Sequence, residues 1–326
     1  MPLSVAAPID VRTRNQRIID IRNLSESELD PLLQEQIIDW ARELDWDFSK
    51  SAAMVRQLAE ERMLSGAALM DGAELAGYGY TGLDDDKGLI ADIFVRPGSH
   101  RGNSEAALFR VLLCALIAVP GVRRIESQLM LSEAASARAL EGESHLRVFE
   151  RLLMKLDANY ALPSGRGATK SRLRIEPWND RHLEAAAAAF WRAHIGHIDS
   201  EFNDHYRSVT GASRYLRNIL QFAGSATFCR PASYLSFDMT GEVLGMSLSS
   251  FVACDVAHIT EICVVPQAKR SGVGYELLRQ SVAALRGAGA ERISLTVTAA
   301  NEEAIRFYTR FGFRESRRFY AYAWDK

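Results

Sequence analysis

The sequence carries an internal repeat, which limits the possible folds more than any other feature. The segment MDGAELAGYGY (70–80) resembles MTGEVLGMSLS (239–249), 169 residues later. IFVRP (93–97) resembles ICVVP (262–266) at the same separation of 169 residues. Because these and further matches occur in the same order in both halves, they favour a duplicated domain over chance similarity between two α/β domains.

The repeat predicts two domains in this chain of 326 residues, each large enough to form its own core. Between the halves, PSGRGATK (163–170) is rich in Pro, Gly and small polar residues, which is typical of a domain junction. We therefore predict domains at 1–165 and 171–326. In each domain the patterns predict a strand, one or two helices, a hairpin, a strand, a helix, a strand, a helix and a final strand pair.

The composition, with 48% hydrophobic and 25% charged residues, excludes a disordered tail or a collagen. A net charge of -2 gives no broad attraction for nucleic acid or an anionic membrane, so neither partner is expected. The longest apolar run, 112–120, is about half of the roughly 20 residues that a membrane-spanning helix needs. The N-terminal segment 1–14 lacks the pattern of a secretory signal, so we expect a cytoplasmic protein.

Local patterns in the second half are the clearest. Alternating segments at 234–237 and 243–246, joined through Thr240-Gly241, predict a hairpin. An apolar, β-branched run ended by Pro266 predicts a central strand at 257–265. Three further elements follow: a helix from Ser271 to about Leu285, a strand at Arg292–Thr298, and a helix at Asn301–Phe311 that Gly312 ends.

The loop between that central strand and the next helix is the most informative stretch. Gly272 and Gly274 fall in the first turn of the predicted helix. Glycines let backbone N–H groups approach a ligand, and a helix start adds partial positive charge, so this loop favours a phosphate group. Lys269 and Arg270 stand beside it. The spacing is neither that of a Walker A loop nor that of a Rossmann fingerprint, and an ordinary turn is the alternative.

Two segments together, PQAKRSGVGYELL (266–278) and NEEAIRFYTRFGF (301–313), resemble the GNAT superfamily of acyl-CoA-dependent N-acetyltransferases. In that family the loop reads Q/R-x-x-G-x-G/A, and the downstream segment reads N-x-x-A-x-x-x-Y-x-x-x-G-F. Five residues match the downstream pattern: Asn301, Ala304, Tyr308, Gly312 and Phe313. The first loop position is Lys269 instead of Gln or Arg, a small departure for a loop that binds mainly through backbone N–H groups. The resemblance is strong over 230–326 and faint in the first half.

This resemblance implies a layered α/β fold of two tandem GNAT-like domains, each a mixed, mostly antiparallel twisted sheet flanked by helices. It implies acetyl-CoA as the acyl donor and a primary amine, of a small molecule, as the acceptor. Backbone groups of three residues would bind the acetyl-pantetheine arm: Ile262, Cys263 and Val264. The pyrophosphate would lie against the loop: Lys269, Arg270, Ser271, Gly272, Val273 and Gly274. Asn301 would contact the arm.

The transfer also needs a proton acceptor, because an alkyl amine with a pKa near about 10.4 is mostly protonated at pH 7. Glu261 is the candidate base, since it interrupts an apolar strand just before the arm-binding residues. The alternative is an edge or strand-end position at which Glu261 pairs with an arginine. Tyr308 is the candidate acid that protonates the departing thiolate, and a core aromatic residue is the alternative. The N–H of Val264 would polarise the carbonyl.

The first half lacks several of these residues. When the halves are aligned on the prolines that end the repeated strands, Asn103 and Glu105 replace the loop glycines, and Glu105 would repel a pyrophosphate. Phe149, without a hydroxyl, takes the place of the candidate acid, while Asp92 matches the candidate base. We therefore predict that 1–165 is a degenerate domain without cofactor binding, a scaffold or part of the substrate wall, and that 171–326 is the catalytic domain.

The segment 190–207, which we call the His-rich segment, lies where the GNAT fold places its substrate-covering helices. Its acidic residues would suit a cationic amine: Asp199, Glu201 and Asp204. The alternative is that the segment is a solvated helix face. The spacing of its histidines matches no standard zinc pattern, and the four cysteines lack CxxC spacing, so we expect no metal. Thr296 stands where GNAT enzymes that acetylate protein N-termini carry a Glu, which argues against that subclass.

Together these features predict an acetyl-CoA-dependent N-acetyltransferase that acts by direct transfer in a ternary complex, with a homodimer as one possible assembly. A non-catalytic acyl-CoA-binding sensor on the same fold, acting through a protein partner, is the alternative.

Overall fold

The computed structural model describes residues 16–98, 100–156, 160–162, 174–221 and 226–326. The expected junction at 163–170 and the N-terminal segment 1–14 lie outside these residues. The chain divides into two compact units: the first runs to Arg151 and includes Arg318–Lys326, and the second is Leu152–Arg317. The expected domains were continuous stretches, whereas each observed unit contains a piece of chain from the other half.

The first half begins with β1 (Gln16–Asp20), α1 (Glu26–Leu44), α2 (Ser49–Glu60), β2 (Gly66–Asp71), β3 (Glu74–Asp84) and β4 (Lys87–Val95). It continues with α3 (Arg101–Ile117), β5 (Arg124–Leu129), α4 (Ala134–Leu140) and β6 (Leu146–Leu156). Each half begins with a strand and helices, continues with a hairpin, and then alternates strands and helices, which confirms the duplicated pattern.

The second half begins with β7 (Arg174–Pro177), α5 (Leu183–His194), α6 (Val209–Gln221), β8 (Thr227–Phe228), β9 (Tyr234–Phe237) and β10 (Val243–Phe251). It continues with β11 (Val256–Val264), α7 (Val273–Gly287), β12 (Arg292–Thr298), α8 (Glu302–Phe311) and β13 (Arg314–Asp325). Between α5 and α6, the His-rich segment forms two short 3-10 helices, Ile198–Glu201 and Asp204–Arg207. No helix in the described ranges combines the length and apolar character needed to cross a bilayer.

Local signals in the second half are confirmed. The hairpin forms between β9 and β10, with Gly241 in the left-handed conformation at φ 89°. Asn301 is the N-cap of α8, where its side chain accepts from the N–H of Ala304. Gly312 ends this helix at φ 118°, a conformation that disfavours any residue with a Cβ.

The two halves end differently from the prediction, because each finishes with one long strand and not with a pair. Tyr320–Asp325 of β13 pair antiparallel with Arg124–Leu129 of β5, in the first unit. Leu152, Met154 and Leu156 of β6 are buried in the core of the second unit. Each unit is therefore completed by a strand that the other half of the sequence supplies.

The alignment of Phe149 with Tyr308 is wrong, since Phe149 lies on the strand β6 and Tyr308 lies on the helix α8. The counterpart of α8 is α4. The separation of 168 residues that relates Arg124 to Arg292 at the starts of β5 and β12 places Leu140 opposite Tyr308. The first half still lacks a hydroxyl at this position, although the residue is not the one expected.

Each unit contains a mixed sheet in which two neighbouring central strands run parallel. In the second unit the strand order is β6-β12-β11-β10-β9-β7, and β11 and β12 are the parallel neighbours. In the first unit β4 and β5 hold the same positions. The expected fold class, a mixed and mostly antiparallel sheet flanked by helices in each unit, is confirmed.

Candidate functional site

The parallel strands β11 and β12 separate part-way along their length. Their pairing joins Val256–Ile259 to Arg292–Leu295 and, among the described residues, ends there. A β-bulge at Thr260 follows, and residues 261–264 stay paired with β10 on their other edge. The backbone edge of 261–264 that faces β12 is therefore open to a ligand.

The expected arm-binding residues lie on this open edge: Ile262, Cys263 and Val264. The side chain of Cys263 is buried in the core of the second unit. Burial raises the pKa of its thiol well above the ordinary value, and the nearby Glu261 carboxylate adds to the effect. Its buried side chain thus supplies no reactive thiolate, and only its backbone groups lie on the open edge.

The glycine loop, residues 269–274, follows this strand. Arg270 and Gly272 adopt left-handed conformations, at φ 61° and 90°. Gly272 is the N-cap of α7, and no described side chain caps this helix start, since the Ser271 hydroxyl donates to the Ala268 carbonyl at 2.6 Å. The N–H groups of a first helical turn lack partners inside the helix, so this turn presents donors to an anion.

The surroundings of the loop also fit a phosphate group. A Cβ built on Gly272 would meet no atom within 4 Å, so the surface over this glycine is open. Lys269 is exposed, and Arg270, 86% exposed, stands with its Nε 3.5 Å from Glu303. An exposed ion pair of this kind contributes little free energy, so it does not prevent Arg270 from binding phosphate oxygens. The exposed Lys269 is available to them as well.

Glu261, the candidate base, is buried on a central strand, with 8% of its surface exposed. The strand is not an outer strand of the sheet, although its pairing with β12 ends before Glu261. The Tyr206 hydroxyl donates to Oε2 at 3.3 Å, and His194 Nε2 lies 4.0 Å from Oε1. The carboxylate therefore faces two side chains of the His-rich segment.

The same segment contacts the end of β12 and the start of α8. His197 Nε2 lies 3.0 Å from Asn301 Nδ2, and Asp199 accepts a hydrogen bond from the hydroxyl of Thr298. The Oδ1 atom of Asn301, meanwhile, accepts from the N–H of Ala304 at 3.1 Å. Asn301 was expected to meet the cofactor arm, and in the structure its side chain caps α8 and joins this helix to His197.

Tyr308 lies on α8 with 8% of its surface exposed, its ring 5.3 Å from Phe307 and 6.1 Å from Phe313. It belongs to the core of the second unit around β12 and α7. The structure thus brings Glu261 together with the His-rich segment, while Tyr308 stands in an aromatic cluster.

Sequence reasoning missed Tyr206, whose hydroxyl contacts Glu261, and Tyr215, whose hydroxyl lies 3.4 Å from that of Tyr206. Burial raises the pKa of Tyr206 well above its ordinary value, and the neighbouring Tyr215 and Glu261 reinforce the shift. Its hydroxyl therefore stays protonated and donates to the carboxylate. Tyr206 is an aromatic residue of the His-rich segment, so the sequence did point to it. The sequence analysis nevertheless considered only the acidic residues of that segment as substrate contacts.

No group of three or more His, Cys, Asp or Glu side chains within the described ranges is arranged to hold a metal ion.

The region of the first unit that matches the glycine loop is built differently. The helix α3 already begins at Arg101, and a Cβ on Gly102 would come within 2.5 Å of the Ala135 Cβ on α4. Glu105 is 1% exposed and accepts from Arg101 Nε at 2.8 Å and from the Glu133 N–H at 3.3 Å. The first unit thus has an α-helical turn, a close contact between α3 and α4 and the buried carboxylate of Glu105 where the second unit has an open loop.

Asp92 holds the position of Glu261 in the first unit, since both directly follow a β-bulge. It is 6% exposed and accepts from Gln36 Nε2 at 2.7 Å and from the Ile93 N–H at 2.9 Å. Burial raises the pKa of this carboxyl to about 7. The first unit has thus kept a buried acid and surrounded it with neutral hydrogen-bond partners.

Comparison with known proteins agrees with this geometry. Residues 195–313 match the acetyltransferase (GNAT) family. No curated protein sequence matches the chain. A GCN5-related N-acetyltransferase from Sphaerobacter thermophilus has a similar structure, with a TM-score of 0.64 at 15% identity, over 94% of this chain and 95% of the other.

Two further solved structures resemble the whole chain. A tandem GNAT protein from the clavulanic acid biosynthesis pathway gives a TM-score of 0.59 at 11% identity, over 95% of this chain and 98% of that one. The glucosamine N-acetyltransferase region of a fungal multi-domain β-N-acetylglucosaminidase gives 0.61 at 15% identity, over 96% of this chain and 38% of that one. Identities this low establish the fold alone. The chain therefore has the fold of tandem GNAT proteins, and its residues 195–313 match the model of the GNAT acetyltransferase family.

Proposed function

We propose that the protein transfers an acetyl group from acetyl-CoA to the primary amine of a small molecule, by direct transfer in a ternary complex. The observation that carries this proposal is the continuity of one strand, loop and helix. Along it lie a buried carboxylate at Glu261, an open backbone edge at 262–264 and an uncapped helix start at 272–274. Acyl donors of this kind combine an amide-rich arm with a pyrophosphate, and the edge and the helix start suit these two parts respectively.

The chemistry assigns one role to each group. Glu261 accepts the proton of the ammonium group and leaves a neutral, nucleophilic amine. The N–H of Val264 donates to the carbonyl oxygen as negative charge develops there. Tyr308 donates a proton to the departing thiolate. Holding both reactants on one surface supplies much of the remaining acceleration.

A thiol-release assay tests this function. The full chain is mixed with acetyl-CoA and a panel of small primary amines, and free thiol is followed over time. We expect amine-dependent release and an acetylated product of matching mass. Binding of acetyl-CoA without turnover on any amine would instead favour the non-catalytic acyl-CoA sensor.

We expect the Tyr308→Phe variant to lower kcat by about 10²-fold, the lower end of the usual contribution of a general acid, with unchanged affinity for acetyl-CoA. Tyr320→Phe is the matched control, because Tyr320 is 9% exposed against 8% for Tyr308 and lies in the first unit. Steady-state kinetics of the two variants decides the assignment. An equal loss in both would show that a lost core hydroxyl, and not a lost acid, lowers the rate.

We expect one acetyl-CoA to bind per chain, in the second unit. In the first unit, the helix start at Arg101 and the buried Glu105 occupy the place of the glycine loop. Isothermal titration calorimetry of the full chain measures the stoichiometry. Two sites per chain would contradict the proposal that the first unit is a degenerate domain.

A further inference from the structure

We propose that His194 is a positioning residue for proton transfer: with Glu261, it holds the water through which the proton of the acceptor ammonium leaves. This inference rests on the proposed acetyltransferase function and gives a role to a histidine of the His-rich segment to which the sequence analysis assigned none.

The tautomer of His194 follows from its hydrogen bond. The residue ends α5 and is 5% exposed, and its Nδ1 lies 2.8 Å from the Phe190 carbonyl oxygen. A carbonyl oxygen only accepts hydrogen bonds, so Nδ1 carries the proton. In the neutral ring, Nε2 then carries a lone pair, and this atom faces Oε1 of Glu261.

The distance between these two atoms fits a bridging water. Nε2 and a carboxylate oxygen are both acceptors, so at 4.0 Å they form no direct hydrogen bond with each other. A water that donates one hydrogen to each connects acceptors about 4 to 5 Å apart. Both of its hydrogens are then engaged, so its lone pairs point outward to a donor such as an ammonium group.

The proton transfer balances without charging the imidazole. An N–H bond of the ammonium breaks as its proton bonds to the water oxygen. An O–H bond of the water breaks as its proton bonds to Oε1 of Glu261. Glu261 ends neutral, the water is regenerated, and the amine keeps the electron pair that attacks the acetyl carbonyl. His194 stays neutral and fixes only the orientation of the water.

The surroundings keep His194 neutral. Its pKa is lowered to about 4, chiefly by burial; the nearby His197 and Lys269 act in the same direction, while the Phe190 carbonyl and Asp199 act in the opposite one. Because a lowered pKa favours the uncharged form of a histidine, Nε2 remains an acceptor at neutral pH. Other groups that face the site include the carboxylate of Glu261 and the hydroxyl of Tyr206, which donates to Oε2, with the Tyr215 hydroxyl next to that of Tyr206.

A packing role for His194 makes a different prediction. Its ring lies 4.3 Å from that of Phe190 and 4.5 Å from that of Tyr206. His194→Phe preserves such ring contacts and removes only the nitrogen acceptor. If the ring serves packing alone, this variant should behave like the wild type with every amine.

The test compares His194→Phe with wild type on two acceptors, an alkyl amine found by the panel and trifluoroethylamine, which is already mostly neutral at pH 7. We expect kcat/KM for the alkyl amine to fall about 10- to 100-fold, and that for trifluoroethylamine to change by less than about threefold. The defect with the alkyl amine should shrink as pH rises toward the pKa of the amine, because neutral amine then enters directly.

His194→Gln serves as the second variant, since its amide oxygen can accept from the water, and we expect partial recovery with the alkyl amine. Calorimetry with acetyl-CoA and a thermal melt establish that each variant is folded and binds the donor. An equal loss with both amines at every pH, or no loss at all, would overturn the role of His194 while leaving the acetyltransferase proposal intact. Absence of turnover by the wild type on every amine would overturn both.

Discussion

Replacing Glu261 by Gln is expected to lower kcat with an alkyl amine by about 10² to 10³-fold, within the usual contribution of a general base. Gln has nearly the same shape as Glu but cannot take a proton, so the amine must find another acceptor. The affinity for acetyl-CoA should be unchanged, since the arm is expected to bind through backbone groups. Steady-state kinetics and calorimetry measure the two quantities separately.

Asp92→Asn is the matched control for this variant. Asp92 is buried and follows a β-bulge like Glu261, but it lies in the first unit. We expect its turnover to stay within about twofold of wild type, as for a substitution with no shared partners with Glu261. The Glu261→Gln rate should also rise with pH toward the pKa of the amine. A rate that remains close to that of the wild type would remove Glu261 from the mechanism.

Replacing Gly272 by Val is expected to weaken acetyl-CoA binding by about 10²-fold or more, where each tenfold is about 1.4 kcal/mol. Gly272 holds φ at 90°, and a β-branched residue is a strong outlier there. The loop must therefore change its backbone, which redirects the N–H groups at the start of α7. The dissociation constant from calorimetry is the measurement.

Gly289→Val controls for backbone strain alone. Gly289 follows the other end of α7 at φ 95°, and a Cβ there, as at Gly272, would meet no atom within 4 Å. Both variants should lose about 1 to 2 kcal/mol of unfolding free energy from the left-handed conformation. Only Gly272→Val should lose affinity for acetyl-CoA. Equal affinities would mean that the glycine loop does not bind the donor.

The second half could be predicted in detail because its signals are local. A run of β-branched and apolar residues predicted Arg292–Thr298 as β12, and the structure places the strand there. Asn301 and Gly312 mark the two ends of α8 through side-chain capping and a left-handed φ, which depend only on neighbouring residues.

Contacts between residues far apart in the chain could not be predicted in this way. Phe149 lies in a run of apolar and charged residues whose pattern is compatible with a helix or a strand. The run forms the strand β6 through pairing with distant strands, which its own residues do not indicate. The hydrogen bond of Tyr206 to Glu261 joins residues 55 positions apart, so no sequence spacing announces it. The glycine loop could be singled out from the sequence because the groups proposed to bind the donor are backbone atoms of consecutive residues.

The exchange of the strands β6 and β13 has a consequence for how the chain can be divided. A single cut between 157 and 173 yields an N-terminal fragment that lacks Arg318–Lys326 of its own unit and retains Leu152–Leu156 of the other. The C-terminal fragment lacks Leu152–Leu156 of its own unit and retains Arg318–Lys326 of the other. No single cleavage of the chain therefore yields both observed units complete, because each unit includes residues from both ends of such a cut.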